Sequence, residues 1–136
     1  RGGERRIFDY FAAGWNRDGL ALRGAGQLLR AAPADKHLLI LLTDASPDDS
    51  HKIPPTGKIP LSREYDGQAG VSDTADEVRA LRRGGTRVAA VFMGESANVP
   101  NANAIYGRDL ARIRRMDQLA AAAGRLIQDE IRALAD

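Results

Sequence analysis

The chain has 136 residues, 43% hydrophobic and 28% charged, which sets it among ordinary globular proteins of at most one domain and excludes disordered and fibrous classes. The 20 basic and 18 acidic side chains leave a formal charge of only +2, too slight an imbalance for the basic face that a nucleic-acid partner requires. The absence of cysteine excludes disulfide frameworks and thiolate sites and fits a reducing, cytoplasmic setting, and no apolar run nears the ~18 residues that span a bilayer.

Arg1 rather than Met opens the chain, and no signal sequence is visible, so the start reads as a processed or truncated boundary. From Asp18 to about Ala32, apolar residues recur at Ala21, Leu22, Ala25, Leu28, Leu29 and Ala32, the spacing of one helix face. Asn16 or Asp18 is placed to cap this helix, and Pro33 closes it. The run Leu38-Leu39-Ile40-Leu41-Leu42-Thr43 then has no polar alternation, which predicts a strand buried on both faces, as in a parallel sheet covered by helices. Asp44 falls at its carboxyl end, the rim where ligands sit in open α/β sheets; capping of the following turn is the competing reading.

The stretch from Ala45 to Val71 carries four prolines and three glycines without sustained periodicity, and a connection of that length is more often functional or mobile than idle. Ser72-Asp73-Thr74 offers caps, Thr74 and Glu77 have capping-box spacing, and Ala75, Val78 and Leu81 define the apolar side of a helix ending at Gly84-Gly85. A second buried strand runs from Val88 to Met93, and a loop from Glu95 to about Arg108 contains Pro100 and three asparagines. A short extended piece from Leu110 to Arg114 precedes a last helix from about Met116 to Ala135, with Leu119, Ala122, Ala123, Leu126, Ile127, Ile131 and Leu134 as its buried stripe. This alternation predicts an α/β fold, a three-layer Rossmann-like parallel sheet with helices on both faces. A strand as apolar as Leu38 to Thr43 needs neighbours on both sides, and Arg1 to Ile7 supplies none, so the chain is expected to be the carboxyl-terminal part of a larger domain lacking its first strands.

Three segments carry a resemblance. Asn16-Arg17-Asp18-Gly19-Leu20-Ala21-Leu22 resembles a motif in which a polar ligand precedes Gly-x-Ala-Leu at a helix start. Leu38 to Asp44 with Pro47-Asp48-Asp49 resembles a strand followed by Thr/Ser-Asp-Gly-x-Pro-x-Asp, and the segment from Tyr65 to Thr74 is similar to a lead into the next helix. Together they resemble a von Willebrand factor A domain, of the kind in nitric oxide reductase activation proteins and in the cobaltochelatase subunit that carries such a domain. Residues 1–136 would be the carboxyl-terminal part of one such domain. The resemblance implies a doubly wound six-stranded sheet with a metal ion-dependent adhesion site, usually holding Mg²⁺, at the carboxyl rim. It further implies Asp44 and Asn16 as metal ligands, and as partners a MoxR-type AAA+ ATPase and a client metalloenzyme that the pair activates or loads with metal. The first metal loop of the family, Asp-x-Ser-x-Ser, occurs nowhere in the sequence; Asn16 replaces the usual Thr and Ala45 the usual Gly.

Mg²⁺ takes oxygen ligands, keeps several waters and is often held by one or two carboxylates plus groups from a partner. With the first loop absent, binding by this chain alone is expected to be weak or nil. Asp18, Asp48 and Asp49 stand as residues that orient ligands or waters, with helix capping and turn formation as the alternative. His37 and His51 lack metal-ligand spacing, Trp15 reads as loop packing, and the Arg112 to Arg115 cluster reads as a solvated face, with contact to an acidic partner as its alternative. No phosphate-binding loop or nucleophile motif is present. A non-catalytic interaction module is therefore expected, with a Mg²⁺-dependent hydrolase or phosphotransfer domain using Asp44, or a structural remnant with a decayed site, as rivals.

Overall fold

The computed structural model describes residues 15–49 and 65–135. In chain order, α1 spans Asp18–Ala31, β1 His37–Thr43, α2 Gly67–Arg83, β2 Thr86–Phe92, α3 Val99–Tyr106, β3 Leu110–Arg112 and α4 Leu119–Ala135. Single 3-10 turns at Ser96–Asn98 and Met116–Gln118 precede α3 and α4. The order of the three strands in the sheet is β1-β2-β3, all parallel, with His37 opposite Thr86 through Thr43 opposite Phe92, and Ala90 opposite Leu110. Parallel neighbours require a crossover, and helices α2 and α3 supply one each.

Alternation along the strands sorts the core into two faces. Leu39, Leu41, Val88, Ala90 and Leu110 pack with α1, α2 and α3 through Leu22, Val71, Ala75, Val78, Leu81, Ile105 and Tyr106. Ile40, Val91, Ala111 and Ile113 face α4 through Leu119, Ala122 and Leu126. The chain is thus α/β with three layers, as its alternation of elements predicts. Each fully buried aliphatic side chain here, such as Leu22 or Val78, contributes about 1.5–3 kcal/mol by leaving water.

Several local expectations are corrected. β1 is not buried on both faces: it pairs only with β2 among the described residues, and Leu42 remains 50% exposed. Helix α1 turns Gly19, Leu22 and Gly26 inward, leaving Leu28 at 76% exposure, because a Cβ at Gly26 would stand 2.6 Å from the Leu81 Cδ2; the missing side chains let α1 lie close on α2. Its N-cap is Arg17, with no side-chain cap. Helix α2 begins at Gly67, seven residues before the expected capping box, and Thr74 Oγ1 donates to the Gly70 carbonyl inside the helix at 2.7 Å. The expected loop after Glu95 holds α3, whose Ala102, Ile105 and Tyr106 are buried at helical spacing; Pro100 sits in the first turn, where its missing N–H costs nothing. On α4, Ala122 is buried but Ile127 and Ile131 are exposed on the three strands that the described residues form. The expectations for Arg1 to Ile7, for His51 and for the prolines from Pro54 to Pro60 lie outside the described residues.

Candidate functional site at the carboxyl rim of β1

Three pieces of chain are clasped where β1 ends. Asn16 N–H donates to the Asp48 carbonyl at 2.9 Å, and Asp49 and Tyr65 exchange two backbone bonds of 2.9 Å each. Inside this clasp Arg17 Nε donates to Asp49 Oδ2 at 2.6 Å, and its guanidinium carbon lies 4.8 Å from the centroid of the Tyr65 ring. The Tyr65 hydroxyl donates to Asp73 Oδ2 at 2.6 Å and accepts from Gly19 N–H at 3.2 Å. A Cβ at Gly19 would meet Asp73 Oδ2 at 2.2 Å and the Tyr65 hydroxyl at 2.7 Å, so only glycine allows α1 to start against this pair. These contacts fix the first turn of α1 beside the end of β1.

That placement builds one cleft of about 530 Å³, lined by Asn16, Asp18, Thr43 and Asp44 on its polar side and by Leu41 and Leu42 among its apolar wall. Asn16 Nδ2 donates to Asp18 Oδ1 at 2.7 Å, and Thr43 Oγ1 donates to Asp18 Oδ2 at 3.4 Å. Thr43 Oγ1 also accepts from Ala45 N–H at 2.9 Å, while Asp44 Oδ1 accepts from Ser46 N–H at 3.1 Å. The turn needs a left-handed residue, and the buried Ala45 takes it at φ 53°, a conformation that costs a non-glycine residue of order 1 kcal/mol. Gly94, at the end of β2, lets that strand close on the turn: a Cβ there would stand 2.7 Å from the Asp44 carbonyl oxygen.

Burial pushes the Asp18 carboxyl above its ordinary pKa; the neighbouring Asp44 charge adds to this, while the bonds from Asn16 and Thr43 oppose it. Beneath lies the buried Tyr106, whose hydroxyl pKa is raised by burial first and by the Asp18 charge next, with the Thr43 hydroxyl opposing.

Of the predicted site residues, the structure brings Asn16, Asp18 and Asp44 into one cleft. It does not bring Asp48 or Asp49 there: Asp48 is exposed and bridges Asn16 through its backbone, and Asp49 is a buried counter-ion of Arg17. Thr43 was not among the predicted ligands; its place between the apolar run and Asp44 is the signal that marks it. The cleft offers an all-oxygen donor set suited to a hard cation, yet among the described residues no group of three or more His, Asp or Glu side chains converges as a metal cage. No helix of the described residues is long and apolar enough to cross a membrane. His37 begins β1, and Trp15 is 57% exposed. No protein family, curated protein or solved structure matches the chain.

Proposed function

We propose that the chain is a metal-dependent protein-interaction module of the von Willebrand factor A type, not a catalyst. The observation that supports this reading is the meeting of Asp18, Asp44, Asn16 and Thr43 in one open cleft at a strand's carboxyl end. Asp44 and Asp18 would hold a Mg²⁺ ion with the Asn16 carbonyl oxygen, and the ion would supply a positive centre for a carboxylate from a partner. Asp18 takes a larger part in this arrangement than the sequence assigns it, because it lines the cleft beside Asp44 while Asn16 Oδ1 already accepts from the Asp48 N–H at 3.4 Å. By the same resemblance, the partners would be a MoxR-type AAA+ ATPase and the metalloenzyme it remodels or loads. Asp18 is the single further carboxylate on the cleft beside Asp44, and among the described residues no group of three or more His, Asp or Glu side chains gathers there, which weighs against hydrolysis or phosphotransfer.

Mn²⁺, as a paramagnetic substitute for Mg²⁺, tests the reading even when binding is weak, on the order of millimolar. Selective broadening of the amides of Asn16, Asp18, Thr43 and Asp44, lost in Asp44→Asn and competed by Mg²⁺, is the expected result. Uniform broadening, or broadening unchanged in Asp44→Asn, would discard it.

A further inference from the structure

A second cleft on the same rim, about 480 Å³, lies at the carboxyl ends of β2 and β3 and is lined by Glu95, Ser96, Arg112 and Arg114 among others. Met93 belongs to the walls of both clefts, so the two are neighbours. Exposure alternates here: Arg112 and Arg114 face out while Ile113 between them is buried in the α4 side of the core. Both arginines are therefore anchored by the residue they flank.

The Arg112 side chain and the Arg114 backbone are further held in place. Arg112 Nη2 donates to Ser96 Oγ at 2.9 Å, and its guanidinium carbon lies 5.8 Å from the centroid of the buried Phe92 ring. The backbone N–H of Arg114 donates to Gln118 Oε1 at 2.8 Å, which pins the chain where α4 begins. Arg23, Arg82, Arg87 and Arg115 are neutralised by Glu77, Asp109, Glu130 and Asp117, whereas the salt bridges of the described residues leave Arg30, Arg83, Arg108 and Arg125, like the two arginines of this cleft, without a carboxylate. Arg112 and Arg114 pair with no carboxylate among the described residues, although Glu95 stands on the same cleft.

We propose that this cleft binds an acidic peptide segment of a partner protein, with the Arg112 and Arg114 guanidinium groups each taking a carboxylate. A planar guanidinium offers parallel N–H donors that match a carboxylate's two oxygens, and a positioned one loses less freedom on pairing. The Glu95 charge and the small net charge of the chain oppose a densely charged polyanion such as nucleic acid, while the Met93 side chain suits the methylenes of a glutamate. Complementary charge at such a rim sets specificity and speeds encounter. The proposal goes beyond the metal reading and needs no cation.

The test measures anisotropy of a short fluorescent peptide of alternating Glu and Gly with the full chain, at low salt in EDTA. Saturable binding is expected, lost for the same peptide with Gln in place of Glu. Arg112→Gln with Arg114→Gln should weaken it about fivefold or more, whereas Arg83→Gln with Arg125→Gln, equal in charge change, should not. Amide shifts should centre on Ser96, Arg112 and Arg114. Equal weakening by both double variants, binding that requires Mg²⁺, or tighter binding of a single-stranded oligonucleotide through the same arginines would overturn the proposal. Failure of the Mn²⁺ experiment leaves this result untouched, so the two readings fail separately.

Discussion

β1 and β2 are both seven residues long, pair in register along their whole length, and end at the same rim. β1, His-Leu-Leu-Ile-Leu-Leu-Thr, has the more apolar run, yet every residue of it keeps some exposure, while in β2 only Arg87 is exposed. The difference is place in the sheet. β2 has a strand on each edge, α2 and α3 on one face and α4 on the other. β1 has one edge partner among the described residues. An apolar run thus measures what a strand gains from burial, and its neighbours determine how much of that gain is realised.

The largest effect is expected where burial is complete. Val91→Asp places a carboxylate among Ile113, Ala122 and Leu126 with no partner, which should cost at least about 4 kcal/mol and leave the chain unfolded by circular dichroism. A folded Val91→Asp protein would break the ranking of the two strands.

A smaller effect, confined to alkaline pH, probes the side of β1 that faces α1 and α2. Tyr65 and Tyr106 are both buried, and their hydroxyls are held well above the ordinary tyrosine pKa, by burial first in each case, then by the Asp73 hydrogen bond for Tyr65 and the Asp18 charge for Tyr106. A raised folded-state pKa means that the neutral form is favoured in the fold; the associated stability is present below the unfolded value near 10 and is lost as pH rises through the folded values. Absorbance at 295 nm should therefore show two of the three tyrosines ionising only as the chain unfolds. Ordinary titration of Tyr106 in the folded state would mean that water reaches under β1 as well as along its edge.

How much of this was legible in the sequence follows from what each feature depends on. β2 and the stripe Ala75, Val78 and Leu81 were readable because local period and final burial coincide. The inward face of α1 was not, because Gly19 and Gly26 carry no side chain to mark it; they serve by letting α2 and Tyr65 approach. Helix α3 was masked by Pro100 and its asparagines, although the Ala102, Ile105 and Tyr106 spacing was present. In the candidate site, Asp44 was legible from the abrupt end of the apolar run. The Asp49 ion pair was not legible, because its partner Arg17 lies 32 residues away, a distance no local pattern encodes.

The smallest expected effect is the sharpest test of the edge. Leu42 is half exposed at the carboxyl end of β1, where its side chain forms part of the wall beside Asp18 and Asp44. Leu42→Asp should cost about 1–2 kcal/mol in urea unfolding, from the half-buried apolar surface it loses, the poor strand preference of Asp and the nearby Asp18 and Asp44 charges. A charge on an apolar edge also hinders pairing with another strand, so the variant should be the less prone to associate in sedimentation velocity. A loss of about 4 kcal/mol or more, as expected at Val91, would instead place Leu42 in a buried setting in solution, since an uncompensated buried carboxylate costs that much. β1 would then be a second interior strand, and the contrast with β2 would reduce to what covers each edge.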